Sequence, residues 1–557
     1  MEDYMRKTLF MLDLNETAAA AAKMMRDNQA GSVIVVEGGR HVGIVTERDL
    51  LNKVLGEGRD VNDVRLREIM SSPVVTISPK AKVKDALLIM IHHNFRRLLV
   101  VENGQPVGLI AQRFTLRDEV ESLITDAYRP GIEAMRLHPR YKGKIQIIPK
   151  VPVDSFEDFS IWYTPGVAEP CKAIAKDPQL VYDFTNKWNS VAIVTDGSRI
   201  LGLGNIGAEA GLPVMEGKAL LYKYLGGVDA YPICLATQKP DEIVEAVKWI
   251  APSFGGINLE DIEQPKCFGV LDRLLEQSTI PVWHDDQQGT ATVVLAGLVN
   301  ALKFKGLRRD KAVITLVGAG AANARVALLL GAGGFNVGEM KVVDSRGIIS
   351  ESRPDLGKSN PVKWRIALTT NRSQLSGGLE DAMAGSDAVI ALSRSGPNVL
   401  TKEMIQKMND APIVFALSNP IPEIWPWEAK EAGALVVATG RSDFSNQINN
   451  SLGFPGIFRG ALDARAHGIT DEMCIAASNE IASMVTDDRL DEDYIMPGME
   501  EEDLYPRVAA TVAAKAVELG IAEKRLSKDA YHANAKEIID KSREMFASLR
   551  RNGFISR

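Results

Sequence analysis

Four acids, a lysine and a tyrosine are the side chains of this sequence best suited to chemistry. Asp285 and Asp286 stand between an apolar run, 279–283, and a good helix pattern over 291–304. They therefore sit where a strand gives way to a helix N-terminus, whose free N–H groups favour ionised acids. Two ionised acids side by side repel unless a cation or a base joins them. A second pair, Glu260-Asp261, follows a Gly255-Gly256 turn. Hard divalent ions such as Mg²⁺ take oxygen ligands and leave positions open for substrate. The bland alternative is two independent solvated turns.

Lys218 opens an apolar helix that contains Leu220, Leu221, Tyr224 and Leu225. A lysine at a helix start opposes the dipole, which lowers its pKa towards that of a general base. Most lysines are only surface charges. Tyr163 precedes Thr164-Pro165-Gly166, a rigid turn. Its bland alternative is a buried tyrosine with a satisfied hydroxyl. A strand over 190–195 runs into a glycine-dense stretch, 196–207, that carries Arg199. Such glycine density suits close approach of backbone to a ligand.

The elements that must position a cofactor lie further on. A buried strand pattern over 312–317 is followed by Gly318-Ala319-Gly320-Ala321-Ala322-Asn323, a helix over 324–330, and a strand over 340–343 ending at Asp344. This is a Rossmann start, with small residues that admit a pyrophosphate. Asn323 stands where a third Gly or Ala is usual. Asp344 suits a ribose 2′-hydroxyl and hence NAD, whereas Arg346 suits a 2′-phosphate and hence NADP, so both remain open. Three later strands, 388–392, 412–417 and 434–438, each end in polar residues, Asn419 among them. The ends of parallel strands line the ligand crevice in such sheets. Alanine-rich amphipathic helices follow over 470–486 and 505–520.

The N-terminal region contains a repeat. Residues 10–57 and 75–122 align without gaps, so that Val42-Gly43-Ile44-Val45 matches Val107-Gly108-Leu109-Ile110. Each copy reads as helix, strand, glycine turn, strand, helix, the first helices covering 17–28 and 83–93. Each has too little core to stand alone. The pair resembles CBS domains, modules that bind adenine nucleotides between two repeats. In Gly43-Ile44-Val45-Thr46-Glu47-Arg48-Asp49 the resemblance implies that Thr46 contacts phosphate and Asp49 the ribose hydroxyls. Ala111 and Phe114 replace these two residues in the second copy. A dimerisation module without ligand is an equal alternative.

Composition bounds the rest. At 557 residues the chain holds several domains. A net charge of −7 gives no reason to expect non-specific nucleic-acid binding. No apolar run nears the roughly 18 residues needed to span a bilayer. The acidic N-terminus, Met1-Glu2-Asp3, lacks the apolar core of a signal peptide. Four scattered cysteines, Cys171, Cys234, Cys267 and Cys474, suit a reducing cytoplasm. Arg129-Pro130-Gly131 and His138-Pro139-Arg140 mark the passage between domains.

From about residue 130 to 520 the sequence resembles malic enzymes of the small bacterial and archaeal type. The resemblance rests on Tyr163-Thr164-Pro165-Gly166-Val167-Ala168, Arg199-Ile200-Leu201-Gly202-Leu203-Gly204, Glu216-Gly217-Lys218, Asn258-Leu259-Glu260-Asp261 and His284-Asp285-Asp286-Gln287, in order. Gln288 departs from the family's usual His. The resemblance implies an α/β chain: a tandem CBS module over 1–125, a malic-enzyme N-terminal domain over 126–303, and a Rossmann domain with C-terminal helices over 304–557. It implies oxidative decarboxylation of L-malate to pyruvate and CO₂ with NAD or NADP and Mg²⁺ or Mn²⁺. Glu260, Asp261 and Asp286 would hold the metal, Lys218 act as base, Tyr163 as acid, and Asp285 tune the lysine. Arg199 would clamp a substrate carboxylate, and Asn419 and Asn450 would lie near nicotinamide and substrate. Gly318, Ala319, Gly320, Ala321, Ala322, Asp344 and Arg346 would bind the dinucleotide. A homodimer or larger oligomer is expected, with an adenine nucleotide acting at the CBS pair. The rivals are a non-decarboxylating dehydrogenase of another 2-hydroxy or 2-amino acid, and a nucleotide sensor on an inactive scaffold.

Overall fold

The computed structural model describes residues 5–28, 30–79, 81, 86, 89–90, 97–102, 104–111, 131, 133–357 and 360–555. The chain divides into two compact units, Met1–Lys142 and Gly143–Arg557.

In the first unit two three-stranded sheets repeat one plan. One contains β1 (Met11–Asp13), β2 (Ser32–Glu37) and β3 (Arg40–Thr46); the other contains β4 (Thr76–Ile77), β5 (Arg97–Glu102) and β6 (Gln105–Ala111). Thr17 caps the helix Ala18–Asp27, accepting from the Ala20 N–H at 3.1 Å, and the helix buries Ala18, Ala21 and Met25. The two copies complete each other. Ser71, in the lead-in to the second copy, exchanges backbone bonds of 2.9 and 3.1 Å with Ile44 of β3. Arg6, in the lead-in to the first, exchanges bonds of 2.9 and 3.0 Å with Leu109 of β6. Each hairpin edge is thus covered by the other repeat's lead-in. The strands β1 and β4 are too short to leave a periodic signal in the sequence. Most of 83–93, the turn residues Gln112, Arg113 and Phe114, and Arg129-Pro130 lie outside the described residues. Residues 133–141 are helical, so His138-Pro139-Arg140 lies within a helix that ends just before the boundary between the two units.

The second unit holds two sheets. The first contains β7 (Ser190–Thr195), β8 (Asp229–Cys234), β9 (Gly256–Leu259) and β10 (Val282–His284), all parallel in the order β10-β9-β7-β8. The second contains β11 (Ile314–Val317), β12 (Lys341–Asp344), β13 (Gly347–Ile348), β14 (Ala388–Ala391), β15 (Ile413–Ala416) and β16 (Val436–Thr439). Its order is β13-β12-β11-β14-β15-β16, parallel except for β13. Strands such as Ile314–Val317 and Ile413–Ala416 are buried at every position, which is why they read as unbroken apolar runs. In each sheet the chain reverses its direction of travel, between β7 and β9 and between β11 and β14. Ligand crevices form beyond the strand ends at such points.

One core joins both sheets through the buried helix Thr290–Lys305. The helices Phe454–Asp463, Asp471–Ser483, Leu504–Glu518 and Lys528–Arg551 pack against it. Phe454–Asp463 is buried throughout and meets Gly226, where a Cβ would stand 2.7 Å from the Pro455 carbonyl oxygen. Its Arg459 is paired with Asp463 at 2.7 Å and bonded to Asn189, which offsets the burial of charge. The acidic pair expected to follow a glycine turn instead ends a strand, because Gly256 already belongs to β9.

Candidate active site

Register brings the acids together. Leu259 of β9 lies beside His284 of β10, so Glu260 and Asp285 follow as neighbours from adjacent strand ends. Asp285 and Asp286 occupy a wide turn, Asp285–Gly289, before the helix Thr290–Lys305. Gln288 supports this turn, its Oε1 accepting the His284 N–H at 3.0 Å. Asp261 adopts φ +52, a left-handed conformation that a non-glycine residue rarely takes. That kink lets the Asp261 N–H donate to Asp286 Oδ2 at 2.9 Å and its carbonyl accept from the Arg199 N–H at 3.1 Å. Strain of this kind persists where surrounding contacts over-determine it.

Lys218 enters from the helix Ala208–Gly226 and lies past its middle, not at its start. Its Nζ lies 2.6 Å from Glu260 Oε1 and contacts Asp285 Oδ2, above the Phe454 ring at 4.7 Å. Trp283 Nε1 donates to Asp285 Oδ1 at 3.0 Å and Asn450 Nδ2 to Oδ2 at 2.9 Å. Asn258 Nδ2 donates to Glu260 Oε2 at 2.8 Å and is itself held by the Tyr222 hydroxyl at 2.8 Å. The expected lowering of the Lys218 pKa is reversed here. Burial by itself lowers it, but Asp285 and Glu260 outweigh burial and hold the ammonium above the ordinary lysine value.

Of the other acids, Glu260 shares this lysine at 2.6 Å. Burial, then the Asp286 charge, pushes Asp261 up to about 8. Burial also carries Glu260 well above the usual range, against the pull of Lys218. Oxygens of Glu260, Asp261 and Asp286 all lie within 4.8 Å of one another. Asp261 Oδ2 is buried without a hydrogen-bond partner among the described residues. Three converging carboxylates, one with an unused oxygen, fit a hard divalent cation. Arg199 is exposed beside them, and its charge pulls the Asp261 pKa down.

Tyr163 is not drawn in. It is 70% exposed, and its hydroxyl makes no hydrogen bond among the described residues. It belongs to a strongly exposed apolar stretch with Ile147 (84%), Phe156 (92%) and Ile161 (61%).

In the second sheet Gly318 turns at φ +92, and a Cβ there would stand 2.5 Å from the Leu392 carbonyl oxygen. Ala319 and Ala321 are buried, Ala322 half-buried, and Gly320 precedes the helix Ala321–Ala332. Free N–H groups at such a helix start suit a pyrophosphate. Asn323, which departs from the glycine pattern, donates from Nδ2 to the Val317 and Gly318 carbonyls, both at 2.9 Å. Asp344 is engaged by Arg353 at 2.6 Å and Lys363 at 2.7 Å, two partners the sequence did not flag. Burial raises the Asp344 pKa, but hydrogen bonds from these cations bring it below the ordinary value. Arg346 faces Asp355 at 3.1 Å. Asn419 packs under Gly440, and Asn450 accepts from Thr290 Oγ1 at 3.2 Å.

Comparison with known proteins decides the family. The family model for the malic enzyme N-terminal domain matches residues 142–275, and that for the malic enzyme NAD binding domain matches 287–517. The bifunctional malic/malolactic enzyme of Bacillus subtilis is 50% identical over 413 residues, covering 74% of this chain and 98% of that protein. This chain belongs to the malic enzyme family. The NAD-dependent malic enzyme of Geobacillus stearothermophilus is 50% identical over 383 residues, covering 69% of this chain and 78% of that protein. The crystal structure of malic enzyme from Pyrococcus horikoshii is 50% identical with a TM-score of 0.71, covering 74% and 95% of the two chains. The CBS domain model matches 1–56 and 66–113, outside the malic enzyme region.

In this CBS pair, Thr46 and Asp49 bond mainly to each other. Asp49 Oδ2 accepts from the Thr46 N–H at 2.9 Å and from its Oγ1 at 2.6 Å, while Lys53 lies 2.8 Å from Oδ1. A cleft is lined from both repeats by Arg6, Phe10, Ser32, Arg97, Leu109 and Ala111, and neither Thr46 nor Asp49 is among its lining residues. Among the described residues, no helix is long and apolar enough to cross a membrane.

Proposed function

We propose that this malic enzyme oxidatively decarboxylates L-malate to pyruvate and CO₂ at the Lys218 cluster, reducing NAD⁺ or NADP⁺ with Mg²⁺ or Mn²⁺. The observation that carries the reading is Lys218, held by Asp285 at the rim of the converging Glu260, Asp261 and Asp286 carboxylates. When bound, the cation would polarise substrate oxygens and the nicotinamide would accept hydride. Lys218, in its unprotonated form, takes the proton of the malate C2 hydroxyl. Asp285, Trp283 and Asn450 hold the lysine and its counter-ion in place. Arg199 holds a substrate carboxylate through its two-pronged guanidinium. Tyr163 returns a proton at C3 after CO₂ departs.

Asp344 with Arg346, Arg353 and Lys363 forms the ribose end of the site. The carboxylate suits a 2′-hydroxyl and the cations suit a 2′-phosphate, so either dinucleotide has a partner there. The exposed apolar stretch around Tyr163 supports a homodimer in which this tyrosine completes the site of a second copy. The CBS pair supports regulation by an adenine nucleotide at Thr46 and Asp49. Four free cysteines, two of them buried, support a reducing cytoplasm.

The test is malate-dependent NAD(P)H formation with both dinucleotides, scored together with released CO₂. One CO₂ per NAD(P)H is expected, and Lys218→Ala should cut kcat by about 10²–10⁴-fold, the range for losing a positioned base. NAD(P)H without CO₂ would instead indicate a plain dehydrogenase.

A further inference from the structure

Glu423 is fully buried, just beyond the Asn419 turn that follows β15, and its carboxylate accepts from two serines that lie just past adjacent strands. Oε1 accepts the Ser393 N–H at 2.9 Å, Ser393 Oγ at 3.2 Å and Ser418 Oγ at 2.5 Å; Oε2 accepts the Ser418 N–H at 3.1 Å. Ser393 lies two residues beyond β14 and Ser418 two residues beyond β15, and these two strands are adjacent and parallel. The loops beyond are laced further. The Gly396 N–H and Ser395 Oγ both donate to the Ile421 carbonyl at 3.1 Å, and the Leu400 N–H donates to the Glu423 carbonyl at 3.2 Å.

This knot touches the ligand crevice on two sides. Gly318 of the dinucleotide turn approaches so closely that a Cβ would lie 3.0 Å from Ser393 Cα. On the other side, a Cβ on Gly202 would lie 3.1 Å from the Asn419 carbonyl oxygen, in the loop that carries Arg199. Moving Ser393 or Ser418 therefore moves the wall against which both loops rest. We infer that Glu423 is a positioning residue for the dinucleotide, setting the spacing of the β14 and β15 ends and so of the Gly318 turn and Asn419. The inference rests on the crevice being the NAD(P) site proposed above.

The chemistry calls for a carboxylate. Four donors converge on Glu423, and a carboxylate only accepts. Burial raises its pKa, while the serine bonds oppose this rise. A glutamine of the same shape would set its own N–H groups against donors, which forces the strand ends apart.

The experiment compares wild type, Glu423→Gln, Ser393→Ala and Ser418→Ala by NAD(P)H fluorescence titration without malate, by KM and kcat, and by thermal melting. Glu423→Gln should weaken NAD(P)H about tenfold, the effect of losing roughly one charge-assisted bond. KM for the dinucleotide should rise by a similar factor, with kcat at saturation within about twofold of wild type. Each serine variant should weaken NAD(P)H severalfold while melting like wild type, which keeps the test decisive should Glu423→Gln not fold. Unchanged NAD(P)H affinity in folded Glu423→Gln, or in both serine variants, would overturn the inference alone. Wild type that binds no NAD(P)H would overturn the site reading and the inference with it.

Discussion

Asp285 Oδ2 meets the Lys218 ammonium, while the Trp283 indole at 3.0 Å and Asn450 Nδ2 at 2.9 Å hold the same carboxylate in place. The pairing splits two neighbours that look equivalent in the sequence. Asp285 is fully buried and faces the lysine, whereas Asp286 is half-buried and faces Asp261. The acid nearer the base orients it, and the acid further along joins the converging carboxylates.

Mg²⁺ or Mn²⁺ should raise the melting temperature of the protein by several degrees. A ligand at about 100 times its Kd stabilises by about 2.7 kcal/mol, and here it also relieves repulsion among Glu260, Asp261 and Asp286. In Asp261→Asn the metal-free melting temperature should hold or rise, since one repelling charge is gone, while the metal-induced increment disappears. An increment of wild-type size in that variant would refute the ligand assignment.

Tyr163→Phe and Lys218→Ala should each be inactive alone. Co-refolded in equal amounts, they should recover about a quarter of wild-type activity. In a symmetric dimer about half of the mixed molecules are heterodimers, each with one intact site, if tyrosine and lysine come from different copies. No recovery in a verified heterodimer would place both residues of each site on one chain.

An adenine nucleotide should shift the activity or melting temperature of the full chain, and Asp49→Ala should abolish the shift. That substitution also releases Thr46 and Lys53, so it should cost about 1 kcal/mol as a lost helix cap. Thr46→Val provides a milder control with the same expected loss of response. Calorimetry showing no heat with AMP, ADP or ATP would leave the module as a dimerisation element.

Acid should destabilise the second unit only below about pH 4 through Asp387. Burial raises the Asp387 pKa, but the Val313 N–H, Asn409 and Lys305 bring it below the ordinary 3.8. A carboxyl depressed on folding contributes stability above its unfolded pKa and loses it as pH falls through the folded value. The contribution of Asp387 should therefore stay level down to about pH 5 and fall below about pH 4. Asp387→Asn should melt lower at neutral pH and show a shallower acid limb. An acid limb as steep as that of wild type would exclude this group as a contributor.

Much of the molecule was legible in the sequence because its signals are local. Strands buried on both faces announce themselves as apolar runs, and Gly318 turns at φ +92, a conformation that other residues rarely adopt. The CBS repeat was visible because Ile44 and Leu109 recur in matching surroundings. The chemistry-bearing residue types, and their order along the chain, were likewise set by sequence.

What the tertiary structure decided are the pairings between distant segments. By its place in the sequence Lys218 is a helix-start lysine with a lowered pKa. It lies past the middle of Ala208–Gly226, and two carboxylates from other strands reverse the shift. The sequence marks Asp344 as suited to a ribose 2′-hydroxyl, and only the fold brings Arg353 and Lys363 to it. Glu423 carries no motif at all, and only the adjacency of β14 and β15 gives it a role. Tyr163 sits in a motif plain in the sequence but stands exposed to solvent. Charge interactions depend on distance and burial, and neither is encoded in the spacing of residues along the chain.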